Sequence, residues 1–157
     1  IPTENEWYKA AYFDPTKNAG AGGYWLHANQ TNTLTTNTVG AAGAANFDDG
    51  DYVGYPAMAL TDVGAYGTNS DSYYGTNDQA GNVMEWNDAV ISGSSRGLRG
   101  GDWIDAESIS RSSFRYSGVS TSQDFFIGFR VASVPEPSSL VLTIFTSGVI
   151  LLRRRRA

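Results

Sequence analysis

The sequence predicts an α+β fold, rich in loops and built on short antiparallel strands, with a short transmembrane helix appended at its C-terminus. Three observations carry that prediction. A capped helical start lies at residues 2–7, three blocks rich in aromatics and glycine follow at 81–86, 98–103 and 127–131, and an apolar run ending in four arginines closes the chain. Each block sets a large apolar side chain beside glycines or single charges, which suits short strands entering tight turns.

In chain order, Thr3 can cap the opening helix, and Glu6 can return a hydrogen bond to the Thr3 amide. Trp7, Ala10 and Ala11 then share one face, and Asp14-Pro15 ends the helix. Residues 17–51 are expected as irregular loops pinned by Trp25 in the apolar cluster Tyr24-Trp25-Leu26. Within them, 46–51 gather carboxylates around Gly50 without the spacing or terminal Glu of an EF-hand; the segment reads either as a local oxygen-ligand cluster or as a solvated acidic turn. Residues 63–66 and 72–75 read as brief strand or turn pieces. Residues 94–99 lead into Gly100-Gly101, and Arg111 and Arg115 are expected to pair with carboxylates or to face a ligand pocket. In the closing strand Phe129 and Val131 alternate with Arg130, so the apolar pair can enter a core while the guanidinium stays outside or meets a carboxylate.

Composition narrows the function classes. A chain of 157 residues suits one folded domain. All sixteen acidic residues precede Pro137, against seven of the eleven basic ones, which leaves that body with a formal net charge of −9. Such a balance excludes a nucleic-acid surface and leaves carboxylates for hard cations. The absence of cysteine removes disulfides, thiolate zinc sites and cysteine catalysis together. Residue 1 is Ile and no basic-then-apolar leader precedes the first helix, as expected of a fragment of a longer protein.

The composition changes at Val134, dividing the chain into a domain at 1–133 and a tail at 134–157. Pro135-Glu136-Pro137 blocks helix and sheet, 140–152 is largely apolar, and 153–156 are arginines. A helix over 138–152 spans only about 22 Å at ~1.5 Å per residue, short of the ~30 Å hydrocarbon core. Snorkelling arginines shorten that gap, and the positive-inside rule places them in the cytoplasm with the domain on the far side of the inner membrane. Pro-Glu-Pro, apolar span and arginine cluster together resemble the PEP-CTERM sorting signal of Gram-negative, exopolysaccharide-producing bacteria. The resemblance implies an exosortase as partner, cleavage near Pro-Glu-Pro, and delivery to the cell surface or extracellular matrix.

The body resembles the C-terminal part of a sulfatase-modifying-factor domain, the group similar to formylglycine-generating enzymes. Its pieces stand here in order as Ile1-Pro2-Thr3-Glu4-Asn5-Glu6-Trp7, then 74–86, 98–103 and 127–131. That resemblance implies a C-type-lectin-like fold, and an N-terminal portion preceding the Pro-Thr-Glu helix in the family. It also implies two copper-holding cysteines, whose positions fall on Asp105 and Ser110. Neither a carboxylate nor a hydroxyl replaces a thiolate as a soft copper ligand, so formylglycine generation is not expected. A non-haem-iron site needs several imidazoles, and the chain has one, His27, which reads as a surface or half-buried loop histidine without a nucleophile motif around it.

What the resemblance does carry is structural calcium. The matching positions are Asp78, Gly81, Val83 and Glu85, two with side-chain oxygens and two with backbone carbonyls. A second set would use Asn46 and Phe47 with a carboxylate such as Asp51. Asp78 and Glu85 can instead satisfy turn amides or pair with Arg99 or Arg130. The functional expectation is a non-catalytic, surface-directed domain whose Tyr-, Asn- and Ser-rich loops at 66–77 and 117–123 bind a polysaccharide or protein ligand. An oxidoreductase with its catalytic residues outside this chain is the alternative.

Overall fold

A computed structural model describes residues 1–50 and 60–133. Asp51 and the whole 134–157 tail, including the transmembrane helix and sorting signal read from the sequence, lie outside the described residues. Within them no helix is long and apolar enough to cross a membrane.

Helix α1 (Glu4–Tyr12) starts as its sequence requires: the Thr3 hydroxyl accepts from the Glu6 amide at 3.2 Å, and the Glu6 carboxylate accepts from the Thr3 amide at 2.8 Å. Its apolar face buries Trp7, Ala11 and Tyr12, while Ala10 stays half-exposed. The helix ends at Tyr12, before Asp14-Pro15, because the chain passes straight into a two-residue strand, β1 (Phe13–Asp14). β1 pairs antiparallel with β2 (Gly23–Tyr24), and Trp25 is fixed beside it by its indole bond to Asp14 at 3.1 Å and by the Lys17 ammonium over its ring. The long loops beyond are therefore packed. Ala28, Leu34, Ala45 and Phe47 join Trp7, Ala11, Tyr12 and Ala80 in the main buried cluster.

Four strands form the larger sheet, in the order β5 (Tyr116–Val119), β4 (Ser95–Arg99), β3 (Met84–Ser92), β6 (Ile127–Phe129). β3–β4 and β4–β5 are antiparallel; β6 lies parallel to β3, pairing Met84 with Ile127 and Trp86 with Phe129. The sheet is thus mixed, which corrects the expectation of antiparallel strands alone. Residues 63–66 form turns and 72–75 hold a turn at 73–74, so neither supplies a strand.

The closing strand also faces the other way from the reading that placed its apolar residues in a core. Phe129 is 67 % and Val131 82 % exposed, whereas the Arg130 guanidinium turns inward. A buried carboxylate is the reason, as described below. On β4, Arg99, the register partner of Glu85, reaches Glu4 at 2.7 Å, and Arg115 pairs with the same carboxylate. Arg99 also donates to the Ser112 and Phe114 carbonyls at 3.0 and 2.6 Å, so one guanidinium joins helix, sheet and the following loop.

The entry to β3 is the tightest crossing. Gly81 has φ 75° and bridges Asn46, so an added Cβ would lie 2.0 Å from the Asn46 carbonyl oxygen. Gly81→Ala is expected to cost about 3 kcal/mol or more, since backbone must move against backbone in a conformation L-residues resist. Gly75→Ala, with similar φ of 73° but open space around it, is expected to cost about 1 kcal/mol. Denaturant unfolding of the two variants checks the contrast; equal losses would contradict the crossing.

Candidate functional site

Glu85 sits on β3, 5 % exposed, with both oxygens engaged. The Trp7 indole donates to Oε2 at 2.6 Å, and Arg130 donates from Nε to Oε2 and from Nη2 to Oε1, each at 2.5 Å. Arg130 also donates to the Asn77 carbonyl at 2.9 Å. This bidentate fork is the geometry for which arginine is suited, and it satisfies a carboxylate that would otherwise be buried without a counter-charge.

The remaining residues expected to hold calcium surround the same corner. Asp78, at φ 57°, accepts from the Gly64 amide at 2.7 Å through Oδ2. Gly81 donates its amide to the Gly100 carbonyl at 2.8 Å, and Val83 packs beside Gly128. Asn46 and Phe47 are buried; Asn46 meets Asn82, which bonds through backbone and side chain to Asn46, Thr61 and Trp103. The two expected sets therefore converge, through the Asn46–Gly81 bridge, on one crossing. Among the described residues no group of three or more His, Cys, Asp or Glu is gathered for a metal ion. Glu85 fits a cation only by giving up its guanidinium, while Asp78 retains one oxygen beyond its turn bond.

A second buried polar cluster was not legible in the sequence. His27 is fully buried, not on the surface or half-buried in a loop as its glycine- and asparagine-rich surroundings suggest. Its Nδ1 lies 3.0 Å from Ser110 Oγ and its Nε2 2.7 Å from Glu107 Oε1, and Arg111 closes the row at 2.7 Å from Glu107 Oε2. The residues stand 83 and 80 positions from His27, so no local spacing announces them. Burial holds the His27 imidazole below its ordinary value against the pull of Glu107. For Glu107, burial raises the carboxyl but bonds from Arg111 and His27 outweigh it and leave it lowered. The neutral imidazole then donates from Nε2–H to Glu107, which leaves Nδ1 and the Glu107 carbonyl as two acceptors for the single Ser110 hydroxyl proton. That order matches a nucleophile, base and acid in sequence, yet Ser110 is only 2 % exposed and Oγ also lies 2.9 Å from the Glu107 carbonyl. As placed, it is an internal clasp between the 26–31 loop and the 3-10 turn Glu107–Ser110.

Next to the clasp, Asp102 and Asp105 share a tight turn. The Asp102 amide donates to Asp105 Oδ2 at 3.1 Å, and Asp102 Oδ1 accepts from the Ile104 amide at 2.9 Å. Burial pushes the Asp102 carboxyl up to about 6 and raises Asp105 as well.

The model for the sulfatase-modifying factor enzyme 1-like domain matches residues 1–134. The chain belongs to the sulfatase-modifying-factor family. Among solved structures it is similar to Treponema denticola variable protein 1, with 23 % identity, TM-score 0.51, and coverage of 82 % of this chain and 45 % of that one. It is likewise similar to PvdO from Pseudomonas aeruginosa, with 18 % identity, TM-score 0.51, and coverage of 82 % and 50 %. These two likenesses concern the fold, and the chain spans about half the length of each structure. No curated protein matches in sequence. Asp105 and Ser110, the positions expected from the sequence to match the family's two cysteines, hold groups spoken for internally: Asp105 caps a turn and Ser110 belongs to the clasp. With no cysteine in the chain, these residues do not fit copper.

The His27 clasp has a pH signature. With its folded value lowered below 6.5, the histidine binds protons more readily in the unfolded chain. Its stabilisation is therefore complete above about pH 6.5 and is lost as the pH falls towards the lowered folded value. The stability gap between wild type and His27→Gln, from urea unfolding, should narrow from about pH 7 to about pH 5; a constant gap would contradict a neutral buried imidazole.

Proposed function

We propose that this sulfatase-modifying-factor domain is a non-catalytic binding module, exported and processed through its 134–157 tail, that acts in the extracellular polysaccharide matrix. The observation that supports it is the closed chemistry at Asp105 and Ser110. Where family members carrying the oxidase chemistry need an open pair of soft ligands, this chain has a turn-capping carboxylate and a serine that is 2 % exposed. What it presents outward instead is aromatic and polar: Tyr73 and Tyr74 stack edge to face at 5.3 Å and are 41 % and 47 % exposed, in a loop where Ser72 organises the turn. Such surfaces give contact area at low entropic cost, which suits binding rather than turnover.

In this reading an exosortase-type enzyme at the inner membrane recognises the tail and releases the domain to the cell surface. Protein recovered from the polysaccharide fraction of producing cells should co-sediment with that polysaccharide, and its C-terminus by mass spectrometry should end near Pro-Glu-Pro. Recovery only in the membrane fraction with 153–156 intact would overturn the proposal.

Calcium belongs to the same proposal as a structural ion at Asp78, with the backbone carbonyls of Gly81 and Val83 and with Glu85. Because Glu85 is already held by Arg130, calcium competes with a guanidinium there. Millimolar calcium should raise the Tm of metal-stripped protein, and Asp78→Asn should diminish the rise. An unchanged Tm would leave Glu85 wholly to Trp7 and Arg130 and remove the ion from the account.

A second reading is a formylglycine-generating-enzyme-like or non-haem-iron-type oxidoreductase with catalytic residues outside this chain. The observation that favours it is that the chain matches only about half of each structural neighbour.

A further inference from the structure

The sheet carries an open cavity of about 350 Å³ that no part of the foregoing uses, lined by Ile1, Trp86, Asn87, Arg96, Ser120 and Phe129. Trp86 and Phe129 are register partners on the parallel pair β3–β6, so their rings project from one face of neighbouring strands, about 5 Å apart at the backbone. The indole rests on β5: a Cβ at Gly118 would come within 2.9 Å of Trp86 Cη2, so the bare glycine backbone is what lets the ring lie there. Phe129 has no such cover and is the exposed wall of the cavity.

The polar lining is one-sided. Asn87 is fully buried, and its side-chain amide packs against Gly97 on the face of the sheet opposite Trp86 and Leu98, so it does not donate into the cavity. Arg96 contacts only the Gly93 and Ser95 carbonyls, each at 3.4 Å. Among the described residues the arginines paired with carboxylates are Arg99, Arg111, Arg115 and Arg130, and Arg96 is not one of them. A cavity with two aromatic walls, an arginine free of carboxylates and no acidic side chain selects an anionic ligand that offers a flat apolar face.

We infer that this cavity binds a carboxylate-bearing pyranose, a uronic acid unit, through stacking on Trp86 and Phe129 and through charge-assisted bonds from Arg96 to the sugar's carboxylate. The inference rests on the polysaccharide-binding reading and names the unit recognised. The surplus of negative charge elsewhere in the body opposes a long polyanion lying along the surface. The site therefore takes a chain end or an isolated unit.

Saturation-transfer NMR and tryptophan fluorescence on the full chain test this with glucuronate and galacturonate against glucose and galactose. The uronates should bind with Kd on the order of 1 mM, and the neutral sugars roughly tenfold more weakly for want of the charge-assisted bonds. Arg96→Gln should erase the preference, and Phe129→Ala, at an exposed position, should weaken both classes without altering the fold. Equal binding of acidic and neutral sugars, no detectable binding of either, or an Arg96→Gln variant that keeps the preference would each overturn the inference. The two proposals separate cleanly: if both variants still co-sediment with polysaccharide, this cavity is not the site but the module reading stands. If free uronate binds and the polymer does not, the site stands and the matrix role falls.

Discussion

The Glu85 carboxylate is the constraint on which the rest of the structure depends. Burying an ionised group costs several kcal/mol, and an incomplete set of partners leaves most of that unrelieved. The chain meets the requirement from two distant places: the Trp7 indole, 78 positions upstream, and the Arg130 fork, 45 positions downstream. Satisfying that carboxylate therefore brings helix α1 and the last strand to the start of β3. It also explains why the closing strand turns its charge inward and leaves Phe129 and Val131 outside.

Much of this frame was legible in the sequence, for local reasons. The Thr3–Glu6 box, the Trp7 face and the β4 run into Gly100-Gly101 are short-range patterns, and each appears where its residues required it. The partner of Glu85 was one of two arginines that charge alone could name. What stayed hidden depends on contacts between remote segments. The direction of β6 is set by where residue 130 must reach, and a three-residue strand of alternating character reads identically in parallel and antiparallel company. His27 lies among residues that usually mark exposed loops; its burial comes from Glu107 and Ser110, which arrive from the far side of the domain. Asn87 looked like any polar residue after a tryptophan, and only the bulged register of β3 against β4 shows its amide without a partner.

Two features of the site then point in one direction. Asp105 caps a turn and Ser110 is held in the clasp, so this part of the fold contributes rigidity and offers no soft metal ligand. On the sheet, the same mixed topology that answers Glu85 places Phe129 beside Trp86 and opens a cavity with an arginine and no acids. In the proposed reading, a scaffold freed from redox work keeps its geometry and changes what its surface meets.

The central claim is that this chain holds the fold without the oxidation. The most direct measurement is to incubate it with copper, oxygen and a cysteine-containing sulfatase peptide and to look for peptide aldehyde by hydrazide capture and mass spectrometry. The account predicts none above the level given by copper alone; aldehyde that depends on the folded protein would contradict it.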